Sequence, residues 1–409
     1  MGDQFSQLRG RPAFRILTRV LFLLVVLVLG WQLLSLWGGY RFGSIGTKDF
    51  VAYWGAGRLL WSGENPYDFG KLRQFEAELG VPPESQTAVW NPPWLLVWIS
   101  PLLPLPFGAA GVTWLVLSGV IILVSASVVW RTLAGPSSPN RALPVAWVAA
   151  FAFFPTLSTL GMGQVSSLLL LGVAGFFYSA CRRRDYLAGA FLALATIKPH
   201  VLYLFCIAVL WWVVAERRWR VVAGFCAMLL PTLAILTLLS PGWLTAYRTA
   251  MADPPLYWIT PTVGGMLRLW VFPDAPRVQF LPPLVAGLAL LGFLLMKRPS
   301  FDWRAAAGPL LLASVPTAAY GWSFDQVVLL VPYLEIIRWV ADGRIKGARE
   351  RALVIGALVT LTVAMVGQGL LVQSEHFFFW PPLALAAVYV YAWFCRQPVP
   401  EMRLGEKRI

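Results

Sequence analysis

The chain has 409 residues, of which 58% are hydrophobic and only 13% charged, with a formal net charge of +14. A soluble globular domain carries about a quarter charged residues, so so few charges cannot cover a surface that faces water all round, and composition points to lipid contact. The excess Lys and Arg fall in short clusters between apolar stretches, as orientation signals do, with no basic stripe interleaved with aromatics, which argues against a nucleic-acid partner.

In chain order, the first apolar run covers residues 14–37. Arg9, Arg11, Arg15 and Arg19 precede or open it. It is too long for a cleaved signal and lacks a small-residue cleavage site, so it is expected to be a retained span with a cytoplasmic N-terminus. Residues 39–89 form a polar outer loop holding Asp49, Glu64, Asp68, Glu76, Glu78 and Glu84. Within it, Phe50, Tyr53, Trp54, Leu59 and Leu60, with Arg58 between, have the spacing of a short amphipathic helix at the interface. Residues 90–106 are apolar but contain Pro92, Pro93, Pro101, Pro104 and Pro106. Proline breaks helical hydrogen bonding, so this stretch is expected to be re-entrant or packed at the outer surface.

Basic clusters fix the remaining topology: Arg182–Arg184; Arg217, Arg218 and Arg220; Lys297, Arg298 and Arg304; Arg344, Lys346, Arg349 and Arg351; and Arg403, Lys407 and Arg408. With all of these cytoplasmic, the spans run near 109–131, 143–160, 165–181, 186–199, 200–215, 221–240, 281–296, 305–321, 325–340, 352–372 and 377–395. The expected fold is a single all-α polytopic domain over 1–409 with about twelve crossings, a second outer loop at 241–280 and a cytoplasmic tail at 396–409. Cys181, Cys206, Cys226 and Cys395 share no CxxC spacing and are expected as small buried residues. Two histidines, His200 and His376, are too few for a histidine-rich metal site, and His376 with Glu375 suits a solvated outer turn.

This topology brings four polar points to the outer face: Asp49, the Gly161–Gln164 turn, Lys198 with His200, and Tyr320–Gln326. Ionisable groups in or against a bilayer are expensive and usually functional, and four polar points on one face suggest one outward-open cavity. Each also has a plainer role. Lys198 can snorkel, Asp325 can cap a helix, Gln164 can belong to a plain turn, Asp49 can be a solvated loop acid, and His200 an interfacial one.

The ordered set Asp49-Phe50-Val51-Ala52-Tyr53-Trp54, Gly63-Glu64-Asn65-Pro66-Tyr67-Asp68, Trp90-Asn91-Pro92-Pro93, Gly163-Gln164, the basic loop at Arg182, Ala188-Gly189 through Lys198-Pro199, and Tyr320–Gln326 resembles glycosyltransferase family 87. This family of the GT-C fold class includes polyprenol-phosphate-mannose-dependent mannosyltransferases and an arabinofuranosyltransferase. The resemblance spans roughly residues 10–340 and is loosest at Asp325 and Gln326. It implies a GT-C bundle in a plasma (inner) membrane of bacterial type, with the active site on the extracytoplasmic face. It also implies a sugar donor linked through one phosphate to a polyprenol, a glycolipid or glycan acceptor, inversion at the anomeric carbon, and no metal or other cofactor. Asp49 is the position that matches the family's catalytic base.

Such chemistry needs a carboxylate to take the proton of an attacking hydroxyl. It also needs positive charge where the leaving phosphate gains negative charge. Lys198 is the first candidate for that charge, Arg58 the second, with His200 as an added donor. Tyr53, Trp54 and Trp90 offer faces for sugar stacking, and Asn91, Gln164, Tyr320, Asp325 and Gln326 complete the candidate substrate-binding set. A transporter or flippase would place ionisable groups at the midplane and often repeat its halves. A non-catalytic envelope-assembly subunit would tolerate loss of Asp49. Both remain alternatives at this stage.

Overall fold

The computed structural model describes residues 45–83, 88–134, 143–252, 255–297, 301–372 and 374–397. The expected first span at 14–37 with its arginines, Glu84, Arg298 and the basic tail cluster lie outside the described residues. Those described form seventeen α-helices and four short 3-10 helices; the only β pairing among them is a single bridge between Ile345 and Arg396.

The outer-loop region contributes α1 (Phe50–Trp61), α2 (Phe69–Glu78) and α3 (Trp94–Ile99). The central run is α4 (Phe107–Leu133), α5 (Leu143–Ala152), α6 (Phe154–Met162), α7 (Ser166–Cys181), α8 (Asp185–Ala195), α9 (Tyr203–Ala215) and α10 (Trp219–Leu239). The second loop holds α11 (Trp243–Ala252) and α12 (Val263–Trp270). The chain ends with α13 (Leu281–Lys297), α14 (Trp303–Thr317), α15 (Leu330–Ala341), α16 (Ala348–Leu371) and α17 (Trp380–Cys395). Helices form at all the spans expected from 109 onward. By length and apolarity, five helical stretches among the described residues suffice to cross a membrane: α4, α10, Pro276–Lys297, α16 and Glu375–Cys395. The α5–α6 pair, bent by 63°, makes a sixth if it is one span. The chain is thus a multi-pass membrane protein, with fewer full-length spans described than the twelve expected.

The difference is one of length. At 1.5 Å per residue, α4 reaches about 40 Å, whereas α7 reaches about 24 Å and α8 about 16 Å, against a hydrocarbon core of about 30 Å. Phe153 breaks the helix between α5 and α6, with Pro155 in the first turn of α6. Of these short helices, α7 is interior, while α8 and α9 bury just under half of their residues. Most of α7 is buried, while α10, α16 and the Glu375–Cys395 stretch expose apolar side chains such as Leu238, Leu370, Leu371 and Phe394, as lipid-facing spans do.

Small residues let the interior helices approach closely. A Cβ on Gly189 of α8 would stand 1.9 Å from the Val221 carbonyl oxygen of α10, and one on Gly224 of α10 would stand 1.9 Å from that of Tyr186. Membrane helices, lacking a hydrophobic drive toward one another, rely on this kind of backbone contact. The α7–α8 and α9–α10 turns share a feature: Arg183 (φ 56°) and Arg217 (φ 52°) take the left-handed position that helix ends favour for glycine.

Two outer elements depart from expectation. Helix α1 forms at the expected place, but ten of its twelve residues are buried, so it has no broad wet face. Gly55 and Gly57 allow this, since Cβ atoms there would meet Leu72 at 2.8 Å and Leu103 at 2.6 Å. The proline-rich stretch forms only the six-residue α3 and the 3-10 turn Ser100–Leu102. These are far too short to cross, in keeping with a packed or re-entrant segment.

Candidate active site

The segment before α1 is pinned by backbone. Gly46 N donates to the Gly161 carbonyl (2.8 Å), and Asp49 N to that of Met162 (2.9 Å). Gly163 makes this contact possible. Its φ is +71°, and a Cβ there would lie 2.1 Å from the Gly46 oxygen. The indole N–H of Trp114 holds the Gly163 carbonyl at 3.0 Å. The glycine therefore brings the following Gln164 against Asp49.

From the other side, the turn after α8 delivers Lys198. Asn91 Nδ2 donates to the Ile197 carbonyl (3.0 Å), Trp94 Nε1 to Thr196 Oγ1 (2.9 Å), and Tyr67 OH to the Asn91 carbonyl (2.7 Å). The Trp90-Asn91-Pro92-Pro93 text thus builds a brace for the lysine turn. Asp325 arrives on the 3-10 helix Ser323–Leu329, whose first turn it caps by accepting from Trp322 N (3.1 Å).

The side chains then join in one network. Lys198 Nζ donates to Asp325 Oδ1 (2.7 Å), Gln164 Oε1 (3.0 Å) and Ser166 Oγ (3.3 Å), which uses its three donors. Ser166 Oγ donates to Asp325 Oδ1 (2.7 Å) and Tyr53 OH to Gln164 Oε1 (3.0 Å). With two donors on its oxygen, the Gln164 amide can have only one orientation. Its Nε2 faces Asp49 and donates to Oδ2 at 2.6 Å. The other Asp49 oxygen has no hydrogen bond among the described residues, and Asp49 lines the cavity.

Desolvation raises the Asp49 carboxyl to about 6, despite the lowering influence of the Gln164 hydrogen bond and the Lys198 charge; Asp325 adds to the rise and Lys48 opposes it. A carboxylate so tuned is a stronger base than an ordinary aspartate yet largely ionised at neutral pH.

The cavity has a volume of about 460 Å³. Of the twelve candidate residues read from sequence, nine line it: Asp49, Tyr53, Trp90, Asn91, Gln164, Lys198, His200, Tyr320 and Asp325. Three do not. Arg58 sits nine residues along α1 from Asp49, which at about 100° per residue is the opposite face. Its guanidinium donates to the Leu103 carbonyl (3.1 Å) and lies 5.6 Å from the Trp54 ring centre. Trp54 is off the Asp49–Ala52–Tyr53 face and packs against Phe75 and Phe107. Gln326 is buried and ties its 3-10 helix to the Phe378 carbonyl (2.8 Å).

Sequence reasoning missed several wall residues. Glu375, expected as a solvated acid beside His376, is instead a cavity wall residue and accepts from Ser323 N (3.1 Å) and Ser323 Oγ (3.0 Å). Tyr247, Trp258, Trp322 and Phe324 also line the cavity, and the Lys198 ammonium sits 4.6 Å from the Phe324 ring centre. Trp322 and Phe324 sit within the Tyr320–Gln326 segment already singled out, but their rings, like those of Tyr247 and Trp258, read equally as interfacial belts. No group of His, Cys, Asp and Glu among the described residues is arranged to hold a metal ion.

The sequence profile of glycosyltransferase family 87 matches residues 90–366, more than half of the chain. The chain belongs to glycosyltransferase family 87. No curated protein and no solved structure matches it. The family 87 match begins at Trp90 and takes in Gln164, Lys198 and Asp325; Asp49 and Tyr53 precede it and reach the matched core through the Gln164 amide. The protein is thus a membrane glycosyltransferase, and the cavity described above gathers the Asp49 carboxylate, the Lys198 ammonium and several aromatic rings.

Proposed function

We propose that the protein transfers a sugar from a polyprenyl-phosphate donor to a hydroxyl of a lipid or glycan acceptor, with inversion, on the extracytoplasmic face of a plasma membrane. The observation that carries this is the Asp49 carboxylate, held by one oxygen and open at the other, in a cavity that also holds Lys198. Mannose is the donor sugar the family resemblance favours. The twelve-crossing topology, with the first span N-terminal to α1, belongs to the same proposal.

In the proposed step, Asp49 Oδ1 takes the proton of the acceptor hydroxyl as its oxygen bonds to the anomeric carbon. The bond from that carbon to the phosphate oxygen breaks on the opposite face, and its electron pair leaves with the lipid phosphate. The proton on Asp49 then passes to water. The leaving group is already stable, so no general acid is needed; what it needs is countercharge. Lys198 supplies it by exchanging its longest hydrogen bond, that to Ser166, for a phosphate oxygen. His200, on the cavity wall, adds a donor. Asp325 holds the ammonium in place, and Gln164 couples that position to the base. The cavity walls supply catalysis by positioning and electrostatics alone, without metal or other cofactor.

The test is transfer from polyprenyl-phosphate-[14C]mannose by the purified protein in lipid, with the anomeric configuration of the product read by NMR. An inverted mannoside is expected. Transfer from polyprenyl-phosphate-arabinose alone would reassign the sugar, and retention of configuration would overturn the single-base mechanism.

A further inference from the structure

A second cavity of about 860 Å³ adjoins the first. Its walls come from the middle of the first outer loop (Asn65, Tyr67, Phe69), from Trp90 and from the second outer loop (Thr245, Thr249, Tyr257 and neighbours). Trp90 belongs to both cavities. Helix α11 is the other shared wall. Tyr247 and Met251, four residues apart, face the first cavity, while Thr245 and Thr249, also four apart, face the second.

The two cavities differ in chemistry. The first is lined by Asp49, Lys198, His200, Asp325 and Glu375; among the described residues, no Asp, Glu, Lys, Arg or His lines the second. A phosphate finds no cationic partner among them. Nor do the walls suit a polyprenyl chain, since among the described residues Leu256 is the only long aliphatic side chain lining them. They offer instead aromatic rings beside neutral hydroxyl and amide groups. Tyr257 is 73% exposed, an open ring face next to the hydroxyls of Thr245 and Thr249. Trp90 stands between Phe69 (ring centres 5.7 Å) and Trp258 (5.8 Å), and its indole N–H is buried without a partner. Rings that stack on the C–H faces of a sugar, ringed by neutral hydrogen-bonding groups, fit a carbohydrate, and the volume is within the ≈300–1,000 Å³ of small-ligand sites.

We infer that the second cavity binds the neutral glycan portion of the acceptor, with Trp90 as the shared wall that aims its terminal hydroxyl at Asp49. The inference rests on the transfer reading above and adds to it the acceptor's site and chemical class. Binding is measured by saturation-transfer NMR with mannotriose on the full-length protein in lipid nanodiscs, comparing wild type with Thr249→Trp, which fills the cavity from an exposed position, and Tyr257→Ala, which removes the open ring. Binding of polyprenyl-phosphate-mannose is measured on the same samples. The expected result is saturable mannotriose binding, weakened at least about tenfold in both variants, with donor affinity changed less than about twofold. Absence of mannotriose binding by the wild type overturns the inference. So does equal binding by both variants, or a loss of donor affinity in Thr249→Trp, which would give the cavity to the donor. Failure of the transfer reading itself looks different: no donor binding by the wild type while mannotriose still binds.

Discussion

Gln164 offers the sharpest test of how the site is tuned. Replacing it with Met keeps the volume and removes the amide that donates to Asp49 Oδ2 at 2.6 Å. A hydrogen bond to a charged group contributes about 1.5–3 kcal/mol, which at about 1.4 kcal/mol per unit is one to two pKa units. The lost bond had favoured the carboxylate, so the Asp49 pKa rises, from about 6 to roughly 7–8. The sign for activity follows directly. The base works only when ionised, so wild-type kcat/KM climbs through a midpoint near pH 6 and is lost below it. In Gln164→Met the same limb moves to roughly pH 7–8. At pH 7 the ionised fraction falls from about nine-tenths to between about one-half and one-tenth, and activity recovers near pH 9. The assay is kcat/KM against pH for sugar transfer in nanodiscs. A profile with its midpoint unmoved, or a loss of rate equal at every pH, would refute the claim that Gln164 sets the state of the base.

Three further outcomes are expected. Lys198→Met leaves the Asp325 carboxylate buried without its cation and should destabilise the protein by about 3–5 kcal/mol, whereas Lys198→Met with Asp325→Asn recovers much of that loss; thermal unfolding of the single and double variants checks the coupling. Gly163→Ala should lower both stability and transfer, because the left-handed position alone costs about 1–2 kcal/mol and the added methyl meets the Gly46 oxygen; unfolding temperature and kcat report the two losses. Arg58→Ala should keep transfer within about twofold of wild type, since its guanidinium is on the far face of α1; a large loss of kcat would return Arg58 to the site.

The sequence made the membrane class, the helices after residue 107 and the convergence of Asp49, Gln164, Lys198 and Asp325 legible, because ionisable residues stand out against an apolar background. Span number was less legible. Hydropathy finds where apolar helices lie, but cannot tell a helix too short to span, such as the 11-residue α8, from a full crossing. Side-chain direction was the second gap. Arg58 and Trp54 lie on the same helix as Tyr53, which Asp49 starts, and only helix rotation separates the cavity-facing residues from those packed outside. Glu375 was misread because a short polar turn between two spans looks solvated until its partner, Ser323, is known. Gln326 adjoins Asp325 in sequence, yet the 3-10 helix turns it inward to the Phe378 carbonyl.

The central claim is that Asp49 is the base of a lipid-linked sugar transfer. Its most direct test compares wild type with Asp49→Asn for transfer of radiolabelled mannose from polyprenyl-phosphate-mannose, alongside donor binding. The account predicts a rate reduced by roughly 10²–10⁴-fold in the variant with donor affinity retained. Equal transfer by both proteins would contradict it.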